Sequence, residues 1–222
     1  CVSSITASAG KEVGKFGCDC YWIKFDHEKR KRGWLYSIYK LYFLFKKIKP
    51  DIIHTNLFDD SVPSLIAAKL AGINRTVVTK GDTAYHWFYA RKGVIADRLI
   101  NDLSTDIVAI SGESKDFIFS KEKAYYPKLR LIHHGIKIDE RLASVDPHKK
   151  DEFINRFNLH GKTVIGVVSR LVEWKGHKYI IDAARDFCKM YHDTKFLIVG
   201  SGGQQEDLKN KLVRAVGDPN IR

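Results

Sequence analysis

Short apolar runs alternate with longer amphipathic stretches along nearly the whole chain. The runs Tyr21–Phe25, Asp51–Thr55, Thr76–Thr79, Asp106–Ile110, Leu129–His133, Thr163–Ser169 and Lys195–Val199 are rich in Val and Ile. They are close to continuously apolar, as parallel strands covered on both faces should be. Between them the pattern predicts helices over 33–49, 61–71, 91–103, 113–121, 148–157, 176–191 and 204–216. Trp34, Ile38, Leu41, Phe45 and Ile48 recur at spacings of 4, 3, 4 and 3, which draws one apolar stripe down the first helix. Strand–helix–strand alternation over the whole length predicts a doubly wound α/β protein.

The alternation lapses between Ile138 and Lys162, where Asp139-Glu140-Arg141 and Asp146-Pro147-His148-Lys149-Lys150 stand. The run at Thr163 then restarts the pattern as though opening a second sheet. The expected organisation is a first domain over 1–138, a linker with some helix over 139–160, and the start of a second domain over 161–222. Both ends read as cut, since a strand-like segment starts at Val2 and Asp218–Arg222 reads as a loop entering a strand. At about 150 residues per domain, the length fits one and a half domains.

Composition narrows the class. With 44% hydrophobic and 29% charged residues, the chain is neither disordered nor a disulfide-stapled mini-protein. Lys plus Arg number 38 against 26 Asp plus Glu, a formal charge of +12. That excess points to an anionic partner: nucleic acid, a phosphorylated small molecule or an acidic membrane surface. The aromatics are not interleaved with Lys and Arg in any recognised nucleic-acid motif, so a specific nucleic-acid partner is not expected. Nonspecific polyanion binding stays as a lesser alternative.

Cys1, Cys18, Cys20 and Cys188 lack zinc-site or redox-pair spacing, which fits reduced thiols in a cytoplasmic protein. The longest apolar-rich stretch, Trp34–Phe45, contains Lys40 and is too short for about 30 Å of hydrocarbon. Helix 33–49 carries Trp34, Tyr36, Tyr39, Tyr42 and Phe43 beside Lys40, Lys46 and Lys47. Such a helix suits peripheral attachment at the inner face of the plasma membrane, or packing on the first sheet with a wet basic edge.

The chain has no His-Glu-x-x-His, no Gly-x-Ser-x-Gly and no Asp-x-Asp for a nucleotide-bound metal. Gly10-Lys-Glu-Val-Gly14-Lys15 is one residue short of a P-loop and continues with Phe16 in place of Ser or Thr. Gly200-Ser201-Gly202-Gly203 reads as a tight βα turn, because Gln205 breaks the dinucleotide spacing. The strongest signal is the segment from Val164 to His177. There a buried strand ends at Ser169 and a helix starts near Gly176, with Arg170 and Lys175 between. Open α/β sheets bind ligands at the carboxyl ends of their strands, where helix N-termini expose free N–H groups. A planar Arg fork and a compact Lys charge beside that terminus suit a diphosphate, particularly one gaining charge as it leaves. The same pair would stand equally well on an ordinary surface loop.

Ser169-Arg170-Leu-x-x-x-Lys175-Gly176 resembles the Gly-Arg-Leu-x-x-x-Lys-Gly signature of glycosyltransferase family 4, whose fold is GT-B. Lys49-Pro50-Asp51-Ile-Ile-His54-Thr-Asn56 is similar to that family's Pro-Asp-x-x-His-x-His strand, and Ile107–Ser114 to its last N-domain strand and following helix. Leu131–Asp139 resembles its Pro-Asn-Gly-Val-Asp segment, and Phe196–Gly202 its Val-Gly-x-Gly turn. The resemblance implies two Rossmann-like doubly wound parallel-sheet domains, both incomplete here. It implies that Arg170 and Lys175 hold the diphosphate of a UDP- or GDP-sugar and act catalytically on it. Ser169, Gly176, Gly200 and Gly202 would complete the donor side.

The implied reaction is a retaining, metal-independent sugar transfer to a glycan or lipid-linked acceptor, with no cofactor, in cell-surface polysaccharide or lipopolysaccharide synthesis. His54, Asn56, Asp82 and His86 are the acceptor-side candidates. The chain departs from the family pattern in several places. The Gly-rich loop after the first strand is absent, Glu-x7-Glu would lie beyond Arg222, and His134 and Asn56 replace the usual Asn and His. Lys80-Gly81-Asp82 stands where the family has an acceptor-side His. These departures keep a non-catalytic nucleotide-binding fragment as the alternative.

Overall fold

A computed structural model describes residues 13–23, 30–81, 84–139 and 145–215. The chain divides into two units, Cys1–Ile136 and Lys137–Arg222.

In the first unit the order is α1 (Arg30–Ile48), β1 (Ile53–Asn56), α2 (Phe58–Ala71), β2 (Thr76–Lys80), α3 (Tyr85–Tyr89), α4 (Gly93–Leu103), β3 (Asp106–Ala109), α5 (Gly112–Ser120) and β4 (Leu129–Leu131). The four strands form one parallel sheet in the order β1-β2-β3-β4. Each predicted strand from Asp51 onward forms within two residues of its expected ends. Tyr21–Phe25 does not: Ile23 makes only an isolated bridge, and Lys24 and Phe25 lie outside the described residues.

Helix α1 buries the predicted stripe at Leu41 and Phe45, with Ile38 and Tyr42 beside them, against Ala67 and Ala68 of α2 and Ile53 of β1. Two fully buried alanines on α2 let the helices approach closely. Gly72, at φ 83°, closes α2 by donating to Lys69 O, while Ile73 donates to Ala68 O. That pair of bonds is a Schellman ending, which needs a residue free to adopt the left-handed region. Helix α5 starts where the Ser111 hydroxyl accepts the Ser114 N–H at 3.1 Å. The centre of the unit is Val62 and Leu65 of α2, Val78 of β2, Ile100 of α4, Ile107 and Ala109 of β3, Ile118 of α5 and Leu129 of β4.

The second unit runs α6 (Pro147–Arg156), β5 (Thr163–Val168), α7 (His177–Met190), β6 (Thr194–Val199) and α8 (Gln205–Ala215). Asp146 caps α6 by accepting the His148 N–H at 2.9 Å, with Pro147 at the first helical position. Strands β5 and β6 pair in parallel from Thr163↔Thr194 to Val168↔Val199. Ile181, Ala184 and Cys188 of α7 pack with Phe196 and Leu208 in two adjoining clusters. Burial of β5 on both faces is not met, for Val164 is 40% and Val168 79% exposed. Among the described residues no strand pairs along its outer edge, and α7 and α8 supply the only packed clusters.

Candidate functional site: two interlocked loops on the second sheet

The carboxyl ends of β5 and β6 carry the donor-side candidates on two neighbouring loops. After Val168, residues 169–172 lead into a 3₁₀ turn at Glu173–Lys175, and Gly176 (φ 71°) turns the chain into α7. After Val199, Gly200–Gln204 leads into α8. Their backbones are bonded together: Ser169 N–H donates to Val199 O at 3.1 Å, Leu171 N–H to Ser201 O at 2.9 Å, and Gln204 N–H to Leu171 O at 3.1 Å. No side chain fits between them. A Cβ on Gly200 would overlap the Ser169 carbonyl oxygen, and one on Gly202 would lie 2.8 Å from the Leu171 carbonyl carbon. The two glycines therefore serve a close approach of backbone to backbone, and through it fix the loop that carries Arg170.

His177, the first residue of α7, is 1% exposed and secures the same loop. Its Nε2 lies 3.0 Å from Arg170 O and 3.1 Å from Ser169 Oγ. A carbonyl only accepts, so Nε2 carries the hydrogen and Nδ1 is the buried atom without a partner. The sequence reading gave His177 no role; a histidine directly after Lys175-Gly176 was its one visible signal. Arg170 and Lys175 themselves are exposed, and among the described residues neither pairs with a carboxylate. The Arg170 guanidinium lies 5.9 Å from the centroid of the Trp174 ring, a cation–π distance that limits its swing. Two exposed cations next to a helix N-terminus can stabilise a polyanion.

The acceptor-side candidates of the first unit are differently placed. His54 Nε2 is 2.8 Å from Thr79 Oγ1 on the neighbouring strand, so this nitrogen is engaged in holding β1 to β2. Asn56 is exposed at the last position of β1, and Asp82 lies outside the described residues. His86, in the one-turn helix α3, has Nδ1 2.8 Å from Asp97 Oδ2 of α4. Behind Asp97 sits a buried polar chain. Lys80 Nζ is 3.8 Å from Asp97 Oδ1, donates to Asn101 Oδ1 at 3.0 Å, and pairs directly with Glu122 Oε2. Asn101 Nδ2 donates to the same Glu122 oxygen at 3.0 Å. Asp97 and Asn101 stand four residues apart on one helix face, a spacing that by itself gives no sign of Lys80 and Glu122. At the start of α2, burial raises the Asp60 carboxyl above its usual range, with neighbouring Asp59 adding to the effect.

A family model described as "Glycosyl transferase 4-like" matches residues 1–112, and one described as "Glycosyl transferases group 1" matches residues 149–216. The chain is 25% identical over 179 residues to an Escherichia coli UDP-Gal:alpha-D-GlcNAc-diphosphoundecaprenol alpha-1,3-galactosyltransferase, covering 78% of this chain and 46% of that protein. It is 24% identical over 203 residues to the Staphylococcus aureus capsular polysaccharide biosynthesis glycosyltransferase CapM, covering 89% of this chain and 53% of that one. The fold is similar to that of Anabaena Alr3699/HepE in complex with UDP and glucose, with a TM-score of 0.78 at 18% identity, over 98% of this chain and 59% of that one. The chain thus spans about half the length of the curated relatives it matches.

Proposed function

This chain belongs to the glycosyl transferase 4-like family, and we propose that its parent protein moves a sugar from a nucleotide diphosphate to a glycan or lipid-linked acceptor with retention of configuration. One observation carries the reading. Arg170 and Lys175 stand exposed and without a carboxylate partner among the described residues, on the loop between β5 and the N-terminus of α7, where a diphosphate has complementary charge. As the bond from the sugar carbon to the diphosphate oxygen breaks, negative charge grows on that oxygen. An Arg fork and a Lys ammonium stabilise it more in the transition state than in the ground state. No resident metal enters this reading, because the two cations take the charge. Ser169, Gly176, Gly200 and Gly202 shape the donor side, and His54, Asn56, Asp82 and His86 belong to the acceptor side.

The relatives favour uridine over guanosine, since the Escherichia coli enzyme is named for UDP-Gal and the Anabaena structure holds UDP. A diphosphoundecaprenol-linked sugar in the former's name supports a lipid-diphosphate acceptor and a place in cell-surface polysaccharide or lipopolysaccharide synthesis. The test is turnover by the full-length protein with UDP-galactose and UDP-glucose on an alkyl-diphospho-N-acetylglucosamine acceptor. An α-linked product from an α-linked donor is expected. A β-linked product contradicts retention, and donor that stays intact with every acceptor contradicts the transfer.

Helix α1 supports a location at a membrane surface. Leu35, Tyr36, Tyr39 and Phe43 are exposed on the face opposite Leu41 and Phe45, and Arg32, Lys40, Lys46 and Lys47 share that face. No carboxylate occurs in the helix. Among the described residues a cleft of about 510 Å³ adjoins its C-terminal end, lined in part by Lys46, Lys49 and Arg75. No helix among the described residues is long and apolar enough to cross a membrane. Aromatic side chains interleaved with cations suit the interface of an anionic bilayer. The chain is expected to sediment with phosphatidylglycerol vesicles at low salt and to detach as salt rises. Tyr39→Ser with Phe43→Ser should abolish the binding; equal binding to uncharged vesicles would contradict this location.

A further inference from the structure

The buried polar chain behind His86 is more than the first unit's fold requires. Two carboxylates, an ammonium and an amide are held away from water at Lys80, Asp97, Asn101 and Glu122, each 8% exposed or less. Apolar residues of similar volume are commonly as stable or more so. Strand β2, helix α4 and the segment after α5 supply these residues, and the chain of contacts ends on a single ring, His86.

That ring is fixed from several sides. Nδ1 faces Asp97 at 2.8 Å, and the Phe58 ring packs on it in a T-shaped contact, with centroids 4.1 Å apart. Its far edge lies against the first turn of α4. A Cβ on Gly93 would stand 2.5 Å from His86 Cδ2 and 3.0 Å from Nε2. A carboxylate only accepts, so Nδ1 carries the hydrogen, and in the neutral ring Nε2 presents a lone pair. Among the described residues Nε2 has no hydrogen-bond partner, and the side chain is 11% exposed. Its helix follows the carboxyl end of β2, the edge on which open α/β sheets bind ligands. His54, by contrast, already has its Nε2 on Thr79.

We propose that His86 binds a hydroxyl of the sugar acceptor by accepting its hydrogen bond at Nε2. Asp97, with Lys80, Asn101 and Glu122 behind it, is the positioning residue that holds the ring in this tautomer. The inference deepens the glycosyl-transfer reading and rests on it. Gly93 belongs to the same device, because any side chain there displaces the ring.

The test has two arms, and the first needs no substrate. Long-range proton–nitrogen NMR of the histidine-labelled chain should show His86 with its proton on Nδ1 and a bare Nε2. Asp97→Ala should lose this fixed tautomer. A proton on Nε2 in the wild-type protein overturns the proposal whether or not the protein transfers sugar.

The second arm measures steady-state kinetics of the full-length protein with UDP-galactose and alkyl-diphospho-N-acetylglucosamine. His86→Ala should raise KM for the acceptor about tenfold, the worth of one hydrogen bond, with KM for the donor unchanged. His86→Gln places an oxygen near the lost Nε2 and should recover part of that loss. Gly93→Ala keeps every polar group and favours the helix, yet should raise acceptor KM as well. An unchanged acceptor KM in both His86→Ala and Gly93→Ala overturns the proposal. Absence of transfer by the wild-type protein counts against the glycosyl-transfer reading, and the NMR arm then decides this one.

Discussion

Replacing Gly200 with Ala should destabilise the second unit by about 3 kcal/mol or more and, on the proposed reading, weaken nucleotide binding by the full-length protein. The added methyl would overlap the Ser169 carbonyl oxygen, with the Ser169 carbonyl carbon 3.0 Å away. Neither neighbour is the movable tip of a side chain. Room appears only if the two loops separate, and separation breaks the bonds Ser169 N–H to Val199 O and Leu171 N–H to Ser201 O. Arg170 lies between those two donors, so the strain acts directly on the loop proposed to hold the diphosphate. Gly203 is the internal control. A Cβ there meets nothing within 4 Å, and Gly203→Ala should stay within about 0.5 kcal/mol of wild type. Urea unfolding followed by hydrogen exchange in β5 and β6 reads both. Equal stability of the two variants would show that the loops do not interlock in solution.

Lys80→Met should be the most damaging single change in the first unit. It removes the lysine ammonium from a buried site shared with Asp97, Asn101 and Glu122. Breaking a buried pair on one side leaves an uncompensated charge, at a cost of about 3–5 kcal/mol. Here two carboxylates face the gap, and Glu122 Oε1 already lacks a partner. The double variant Lys80→Met with Glu122→Leu should recover much of the loss, because charge and counter-charge leave together. Thermal unfolding of the wild type, both single variants and the double variant gives the coupling. If the double variant is as unstable as the sum of the singles, the pair is not coupled.

The architecture was legible wherever the pattern is local. The Val-Ile runs at 76–79, 106–110 and 163–169 became β2, β3 and β5, and the stripe from Trp34 to Ile48 became the packed side of α1 as far as Phe45, with Ile48 left 42% exposed. Helix α3 was not foreseen, because Tyr85-His86-Trp87-Phe88-Tyr89 is aromatic at every position and has no helical period. Exposure of β5 was missed for another reason: an apolar run shows that a strand can be covered, and neighbours decide whether it is.

The donor-side candidates followed a similar rule. Arg170 and Lys175 were readable because one loop carries both. That Gly200 and Gly202 serve a backbone contact depends on a second loop about thirty residues away. The buried network was invisible in sequence, since Lys80 and Glu122 are 42 positions apart. A lysine at the end of an apolar strand reads as solvent-facing until its partner is in place.

The most direct test of the central claim is a calorimetric titration of the full-length protein with UDP, repeated on the variant Arg170→Ala with Lys175→Ala. Both side chains are exposed, so circular dichroism should find the fold unchanged. In the proposed donor site each cation would make charge-assisted contacts to the diphosphate, and losing both should weaken UDP binding about a hundredfold or more. Unchanged UDP affinity in the folded double variant would remove the diphosphate from this loop, and with it the proposed donor site.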